Sequence, residues 1–223
     1  MGSIMTSQTS KPSPADAAKW IRERIRKGRL VPGQRLVEAD LVRDSGFSRS
    51  KVREALRRLE AEGLVDIEEF RGASVRRLGP DEVRQVYEAR MALEGYAAGA
   101  FAASRDTALK QRLASLQIEL DAAARIGRHD RFTQLNDAWH KLILQGAGNA
   151  YVTQFLGQLT VPIYRMLFPT FYARERITQA NADHQLVTAA IVAGKAAAAH
   201  RAMRARIRSG LQALNELDAH FDT

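Results

Sequence analysis

The chain contains no cysteine among its 223 residues, which excludes disulfide bonds and metal sites built on thiolates. This composition fits a reducing compartment, and we expect the protein to be cytoplasmic. No apolar run approaches the roughly 18 residues that a membrane-spanning helix needs, so no membrane is expected as a partner. The opening residues, MGSIMTSQTS, lack the basic and apolar regions of a signal peptide, and we expect residues 1–11 to form a disordered tail.

Catalytic motifs are also missing from the sequence. There is no nucleophile elbow around a serine, no phosphate-binding glycine loop and no acid–base pair at motif spacing. Gly146 and Gly148 form a GxG, but it follows a helical pattern and lacks the rest of a nucleotide fingerprint, so we interpret it as a turn. These absences argue against an enzyme.

Positive charge is concentrated in the first third of the chain. The net charge is +9. Residues 1–79 contain 17 Lys and Arg against 11 Asp and Glu, whereas residues 80–223 contain 17 against 14. Solubility alone could explain the total, but an N-terminal excess is typical of a nucleic-acid-binding module.

Three short helices are predicted at the start of the chain. Ser13, followed by a proline and an acid, has the pattern of a helix N-terminus. A second helix is predicted from about Val37 to Asp44, and a third begins with Ser48 as its cap and ends at Gly63.

The pattern then changes from helical spacing to the alternation of strands. Residues 65–68 and 73–76 alternate, and residues 70–72 (Phe-Arg-Gly) lie between them as the tip of a hairpin. Three helices followed by a small hairpin, all within residues 12–77, predict a winged helix-turn-helix domain.

The third predicted helix has an apolar face and a basic face. The apolar face carries Val52, Leu56 and Leu59, and the basic face carries Arg49, Arg53 and Arg57 at a spacing of four residues. In a helix-turn-helix, the start of the second helix of the motif enters the major groove, where arginine can bind a guanine edge. A basic face in solvent is the alternative, but the neighbouring helix and hairpin favour DNA binding.

Residues 78–219 are predicted to form a second, all-helical domain. Gly79-Pro80-Asp81 marks its start, and apolar residues at helical spacing continue from there. The predicted helices begin near residues 80, 109, 132, 151, 173 and 195, with a kink in the fourth at Pro162. The fold class is therefore mainly α, a winged helix-turn-helix followed by a helical bundle.

The N-terminal residues PGQRLVEADLVRDSGFSRSKVREALRRLEAEGLV (32–65) and RGASV (71–75) closely resemble the DNA-binding domain of GntR-family bacterial transcription regulators. The resemblance covers residues 12–77 almost without gaps. It implies that the following residues face DNA: Arg35, Ser48, Arg49, Ser50, Arg53, Arg71 and Gly72. The helical spacing independently supports Arg49 and Arg53, whereas the other assignments rest on the resemblance. Glu68 and Glu69 would repel phosphate beside the hairpin tip, so we expect a weaker contact there.

Three stretches of the second domain resemble the all-helical effector (FCD-type) domain of the FadR subfamily: YEARMALEG (87–95), NDAWHKLILQGAGN (136–149) and DHQLVTAAIVAGKAAAAHRAMRARI (183–207). Members of this subfamily are usually homodimers that bind a small carboxylate-bearing molecule. Many also hold a divalent metal on an Asp or Asn, a His four residues later, a second His, and a third His 22 residues further on. Asn136, His140 and His184 match that pattern, but Arg206 stands in the last position.

Arginine only donates hydrogen bonds, so Arg206 cannot be a metal ligand. In one interpretation the metal is lost and Arg206 binds an anionic effector directly, with Asn136, His140 and His184 as hydrogen-bonding groups. In the other, zinc or nickel remains on Asn136, His140 and His184. A third interpretation treats both histidines as ordinary interior residues. Arg90 and Arg165 are further candidates for the effector site, or else pair with acids.

The sequence therefore predicts a ligand-responsive transcription regulator, which we expect to be a repressor. A homodimer would read an inverted repeat in double-stranded DNA, and a small organic acid in the helical domain would change its affinity. A metal-dependent enzyme in the bundle and a non-specific DNA-binding protein are the alternatives.

Overall fold

The computed structural model of the chain describes residues 12–26, 28–159 and 174–221. The predicted tail at residues 1–11, the predicted kink at Pro162 and the candidate Arg165 lie outside the described residues. The chain divides into two compact units between residues 77 and 78.

Within residues 12–26 and 28–77, the N-terminal unit contains three helices and a small sheet. The helices are α1 (Pro14–Arg26), α2 (Glu38–Ser45) and α3 (Arg49–Ala61), and the strands are β1 (Arg35–Leu36), β2 (Val65–Glu68) and β3 (Gly72–Val75). The sheet is antiparallel in the order β1-β3-β2. This is the predicted winged helix-turn-helix, with the addition of β1, which the sequence pattern did not indicate.

Capping and turn residues set the helix ends of this unit. At α1, the Ser13 hydroxyl accepts from the amide of Asp16, while the Asp16 carboxylate accepts from Ser13. This reciprocal pair satisfies amides that the first turn of a helix leaves without partners. At α2, Gly46 adopts a left-handed φ of 74° and its amide bonds to Val42, so the chain turns sharply into α3.

The apolar stripe of α3 forms the centre of the N-terminal core. Val52, Leu56 and Leu59 are buried, as their spacing predicted, and α3 packs against α1 and β2. Burying this stripe leaves the basic face of α3 in solvent, because the two faces lie on different sides of one helix.

The C-terminal unit is a helical bundle. Its helices are α4 (Pro80–Ala103), α5 (Thr107–Arg125), α6 (His129–Ala147), α7 (Ala150–Gln158), α8 (Arg174–Val192) and α9 (Ala196–Phe221). Helix α9 packs most extensively on α4 and α8, and α5 packs on both α6 and α8. No helix among the described residues is long and apolar enough to cross a membrane.

A chain of buried hydrogen bonds fixes α8 against α5 and α6. The Trp139 indole donates to Thr188 at 2.9 Å, and the Thr188 hydroxyl donates to Gln117 at 3.1 Å. Asn181 donates to Asp121 at 2.8 Å from the same side of α8. Because buried polar groups need partners, these bonds fix the rotation of α8 and so the direction of its other side chains.

Gly146 allows α6 to approach α4 closely, and this gives a first prediction. A methyl group on Gly146 would overlap the fully buried ring of Phe101. We expect Gly146→Ala to lower the free energy of unfolding by about 1–3 kcal/mol, because a packed core accommodates an added methyl only by strain. Urea unfolding would measure the change.

Gly157→Ala is the matched control. An added methyl at Gly157, in α7, would meet nothing within 4 Å, so alanine there should be neutral or slightly stabilising. Similar stability changes in the two variants would contradict the close packing of Gly146 on Phe101.

Candidate functional site

The basic face of α3 is held by an acid from α2. Nε of Arg53 donates to Glu38 at 2.8 Å, and Nε of Arg49 lies 3.9 Å from the same carboxylate. Both arginine side chains are about two-thirds exposed. Exposed ion pairs contribute little to stability, so Glu38 orders the two arginines without preventing their movement to another anion.

The start of α3 differs in one detail from the predicted cap. Ser48 occupies the N-cap position, but its side chain makes no hydrogen bond to the helix amides. Its hydroxyl lies instead 3.1 Å from the hydroxyl of Ser50, the residue that follows Arg49. The free amides of the first turn and these two hydroxyls therefore face solvent together, an arrangement suited to a phosphate.

The hairpin between β2 and β3 forms the wing of this unit. Gly72 has a φ of 85°, which favours glycine, and a methyl added there would meet open space. Arg71 lies 3.1 Å from Glu68. Glu68 is therefore partly neutralised within the wing, so the predicted repulsion of phosphate falls mainly to Glu69.

Arg35 lies on the exposed side of β1, where its backbone is paired with Ser74 of β3. The strand places Arg35 on the sheet that carries the wing. The sequence pattern gave no reason to place Arg35 on this sheet. A two-residue strand such as β1 is defined by its partner strand rather than by its own periodicity.

A cavity of about 80 Å³ lies within the C-terminal unit, between α4, α6, α8 and α9. We call it the bundle cavity. Since about 10–15 Å³ holds one water molecule, the space is enough for a small organic molecule or several waters. Its polar lining comprises Arg90, Thr133, Asn136, Arg176, Asp183, His184, Arg206 and Ser209, and the larger apolar residues are Tyr87, Phe132, Ile177 and Ile207.

Three of the predicted effector residues meet at one point of this cavity. Nη2 of Arg206 lies 2.8 Å from Oδ1 of Asn136 and 3.0 Å from Nε2 of His184, and these two acceptors are 2.9 Å apart. All three side chains are buried. We call this group the Arg206 cluster.

Hydrogen bonding defines the protonation of His184. Its Nδ1 contacts the carbonyl oxygen of Ala180, which can only accept, so Nδ1 carries the proton. Nη2 of Arg206 can only donate, so its contact with Nε2 is satisfied when Nε2 accepts, and Oδ1 of Asn136 accepts from the same guanidinium nitrogen. A neutral His184 is therefore the form that suits a guanidinium beside it.

Arg90 contributes to the bundle cavity through a second buried group. Its Nε donates to Glu94 at 2.8 Å, and Nδ1 of His140 lies 3.0 Å from the other oxygen of that carboxylate. Burial would raise the pKa of Glu94, but Arg90, His140 and Arg206 together hold it well below its usual range. Glu94 is thus ionised inside the folded bundle at neutral pH.

His140 does not occupy the position that the sequence predicted for it. It is not part of the cavity lining and faces Glu94 instead, with its ring centre 6.4 Å from that of His184. The other two residues predicted to hydrogen-bond beside Arg206, Asn136 and His184, do line the cavity.

The sequence pattern did not indicate several residues in or beside the cavity wall. Glu94 follows Arg90 by four residues, a spacing that places the two on one helix face and could have indicated the pair. Arg176, Asp183 and Ser209 carried no comparable signal, because their positions depend on how α8 and α9 pack.

The Arg206 cluster does not fit a divalent metal. A metal held by Asn136 and His184 needs the same two acceptor atoms that Nη2 of Arg206 contacts, and a permanent cation there repels another. Among residues 12–26, 28–159 and 174–221, no group of three or more His, Asp or Glu is arranged to hold a metal ion.

Comparison with known proteins identifies both units. Residues 15–75 match the family described as bacterial regulatory proteins, gntR family, and residues 85–209 match the FCD domain. The HTH-type transcriptional repressor GlaR of Escherichia coli (strain K12) is 27% identical over 85% of this chain and 90% of its own length. The uncharacterized HTH-type transcriptional regulator YdhC of Bacillus subtilis (strain 168) is 29% identical over 66% of each chain.

A solved structure shares the same fold. E. coli McbR/YncC superposes with a TM-score of 0.77 over 92% of this chain and 97% of its own, at 17% identity. Its likeness concerns the fold alone, whereas the two family matches cover most of the described chain. The predicted resemblance is confirmed, and the relatives are regulators rather than enzymes. The chain belongs to the GntR family of bacterial DNA-binding transcription regulators, with an FCD domain following its winged helix-turn-helix.

Proposed function

We propose that this protein is a transcription repressor whose affinity for its operator changes when a small organic acid binds in the bundle cavity. Two copies of the chain would place two α3 helices on an inverted repeat in DNA. The repressor role is supported by GlaR, a transcriptional repressor whose sequence matches most of the chain.

The observation that carries the proposal is a buried guanidinium that lines a cavity. Arg206 is only 8% exposed, and it lies in the wall together with Arg90 and Arg176. Two acids oppose these three arginines, Asp183 in the wall and Glu94 against Arg90. Counted over the residues that the structure describes, these groups leave a formal excess of one positive charge at a partly apolar cavity. This excess favours an organic anion, and a carboxylate matches the planar fork of arginine.

The apolar part of the wall limits the rest of the effector. Phe132, Ile177 and Ile207 offer hydrocarbon, while Ser209 and Thr133 offer hydroxyls. A carboxylate on a short carbon skeleton, with or without a hydroxyl, satisfies both parts of the wall.

Arg206 takes the place of a metal in this proposal. The guanidinium supplies a fixed positive charge to the effector. Asn136 and His184 orient the guanidinium by accepting hydrogen bonds from Nη2. Effector binding and DNA binding are then coupled, and the coupling acts equally in both directions, so operator DNA must change the affinity for the acid by the same factor.

Thermal unfolding of the full-length chain with a panel of small mono- and dicarboxylates tests the effector site. We expect at least one acid to raise the melting temperature, and we expect Arg206→Met to abolish that rise. A neutral amide of the same acid should have no effect, because the anion is what the guanidinium binds.

Arg208→Met is the matched control, since Arg208 lies on the same helix but is exposed, and it should bind the acid as the wild type does. Equal shifts in the Arg206 and Arg208 variants would contradict the proposed site. So would near-stoichiometric zinc or nickel in protein purified without a histidine tag, measured by plasma mass spectrometry.

A further inference from the structure

Phe70 stands at the tip of the wing with almost no contact to the rest of the protein. Its side chain is 97% exposed, the most exposed of the large apolar residues in the described chain. Ile67 in the same hairpin is only 38% exposed. A ring in this position buries no apolar surface, so packing does not account for a phenylalanine here.

The backbone at Phe70 also disfavours phenylalanine. The amide of Arg71 donates to the carbonyl of Glu68, which closes a four-residue turn with Phe70 in its third position. Phe70 has a φ of 63°, and it is the single residue other than glycine with a positive φ among the described residues. Turns of this form normally place glycine or asparagine there, because a bulky side chain is strained in the left-handed region.

The two observations point in the same direction. Glycine or asparagine at this position would relieve the backbone strain, and any polar residue would suit full exposure to solvent. The turn nevertheless presents an exposed aromatic ring at its tip. Strained residues of this kind concentrate at functional sites, where the surrounding structure determines them. The β2–β3 ladder, from Val65↔Val75 to Glu68↔Gly72, supplies that rigid support.

The surroundings of Phe70 indicate which part of DNA the ring would contact. Glu68 and Glu69 precede it, so the tip offers phosphates little attraction beyond Arg71, which already lies 3.1 Å from Glu68. Bases provide apolar surface that a ring can stack on, and proteins that bind the minor groove use apolar side chains as wedges between base steps. A side chain that inserts between bases gains binding free energy from stacking rather than from attraction to phosphate.

We propose that Phe70 is a DNA-contacting wedge, which inserts against the base stack in the minor groove and bends the operator. The proposal rests on the DNA-binding function of the N-terminal unit and adds a specificity mechanism to it. Sites with an easily unstacked pyrimidine–purine step at the position of the wing would then be preferred, since such steps cost least to open.

The test uses the full-length chain and a duplex enriched by it from a random-sequence library. We expect Phe70→Asn to bind this duplex about 5- to 150-fold more weakly, the range that corresponds to one base stacked on an aromatic ring. Energy transfer between dyes on the two ends should show a straighter duplex in the variant. A 2-aminopurine base at the contacted step should brighten with the wild type and not with Phe70→Asn.

Three controls separate the wedge from a structural role. Phe70→Asn should melt no lower than the wild type, because asparagine suits the turn, and Phe70→Leu should keep part of the bend. Ile118→Asn changes another exposed apolar residue, on α5, and should leave DNA binding unchanged.

Equal affinity and equal bend in the wild type and Phe70→Asn would overturn the proposal. A loss of affinity without any change in bend or 2-aminopurine signal would also overturn it, since the ring would then act away from the base stack. A wild-type chain that enriches no duplex would contradict the DNA-binding function itself, a result distinct from either of these.

Discussion

Replacing Glu94 with glutamine is expected to lower the free energy of unfolding by about 3–5 kcal/mol, the usual cost of removing one partner from a buried ion pair. Glu94 is 5% exposed and lies between Arg90 at 2.8 Å and His140 at 3.0 Å. Glutamine keeps the shape of the side chain but removes its charge. Arg90 would then remain inside the bundle as a buried cation without its carboxylate.

The same helix contains a matched control for this prediction. Arg84 and Glu88 form a pair of identical residue types and spacing, with Nη1 of Arg84 2.9 Å from the carboxylate, but both side chains are about half exposed. Glu88→Gln should therefore leave stability nearly unchanged, because water screens and replaces the interaction. Urea unfolding of both variants gives the comparison, and a similar change in the two would show that burial of Glu94 has no energetic consequence.

The acid dependence of stability follows from the same carboxylate. The folded protein holds the pKa of Glu94 well below its usual range, whereas in the unfolded chain it is about 4.3. A lowered pKa contributes stability that is fully present above the unfolded pKa and is lost as pH falls towards the folded one. Between pH 5 and pH 3 the wild type should lose stability more steeply than Glu94→Gln.

The sequence predicted the elements of both units because each has its own periodic pattern. The stripe of Val52, Leu56 and Leu59 predicted the buried face of α3, and the alternation of residues 65–68 predicted β2. It did not predict β1, which has two residues and exists through its pairing with Ser74 and Ala73 of β3. Long-range pairing of this kind leaves no local periodicity to detect.

The cavity was predicted less completely than the fold. Arg206, His184 and Asn136 come together from three helices, and their grouping was expected from the family pattern rather than from any local spacing. The role of Glu94 was not anticipated. An Arg and a Glu four residues apart on a helix give the same sequence pattern whether the pair is buried or exposed. The two cases can be distinguished only once the positions of the neighbouring helices are known.

Removing either of two arginines at the start of α3 should weaken DNA binding strongly. We expect Arg49→Ala and Arg53→Ala each to weaken binding to the duplex enriched from the random library by about 1–3 kcal/mol. This is the free energy that a bidentate hydrogen bond between arginine and a guanine edge contributes. Both side chains are exposed and lie on one face, as their common neighbour Glu38 demonstrates. The affinity of each variant should also be measured for the same duplex with that guanine replaced. The variants should no longer prefer the original duplex over the changed one.

Arg58→Ala separates reading of bases from simple loss of charge. Arg58 lies in the last turn of α3 and pairs with Glu54 at 2.7 Å, so its removal takes away the same charge at a position away from the helix start. Loss of a phosphate contact weakens binding to all duplexes alike and lowers the dependence of affinity on salt by about one counterion. Loss of a base contact changes the preference among duplexes. If Arg49→Ala and Arg53→Ala behave like Arg58→Ala in both measurements, α3 binds the backbone and does not read sequence. If they alter preference and Arg58→Ala does not, the start of α3 is where the operator is recognised, and Glu38 is the acid that orders its two arginines before DNA replaces it.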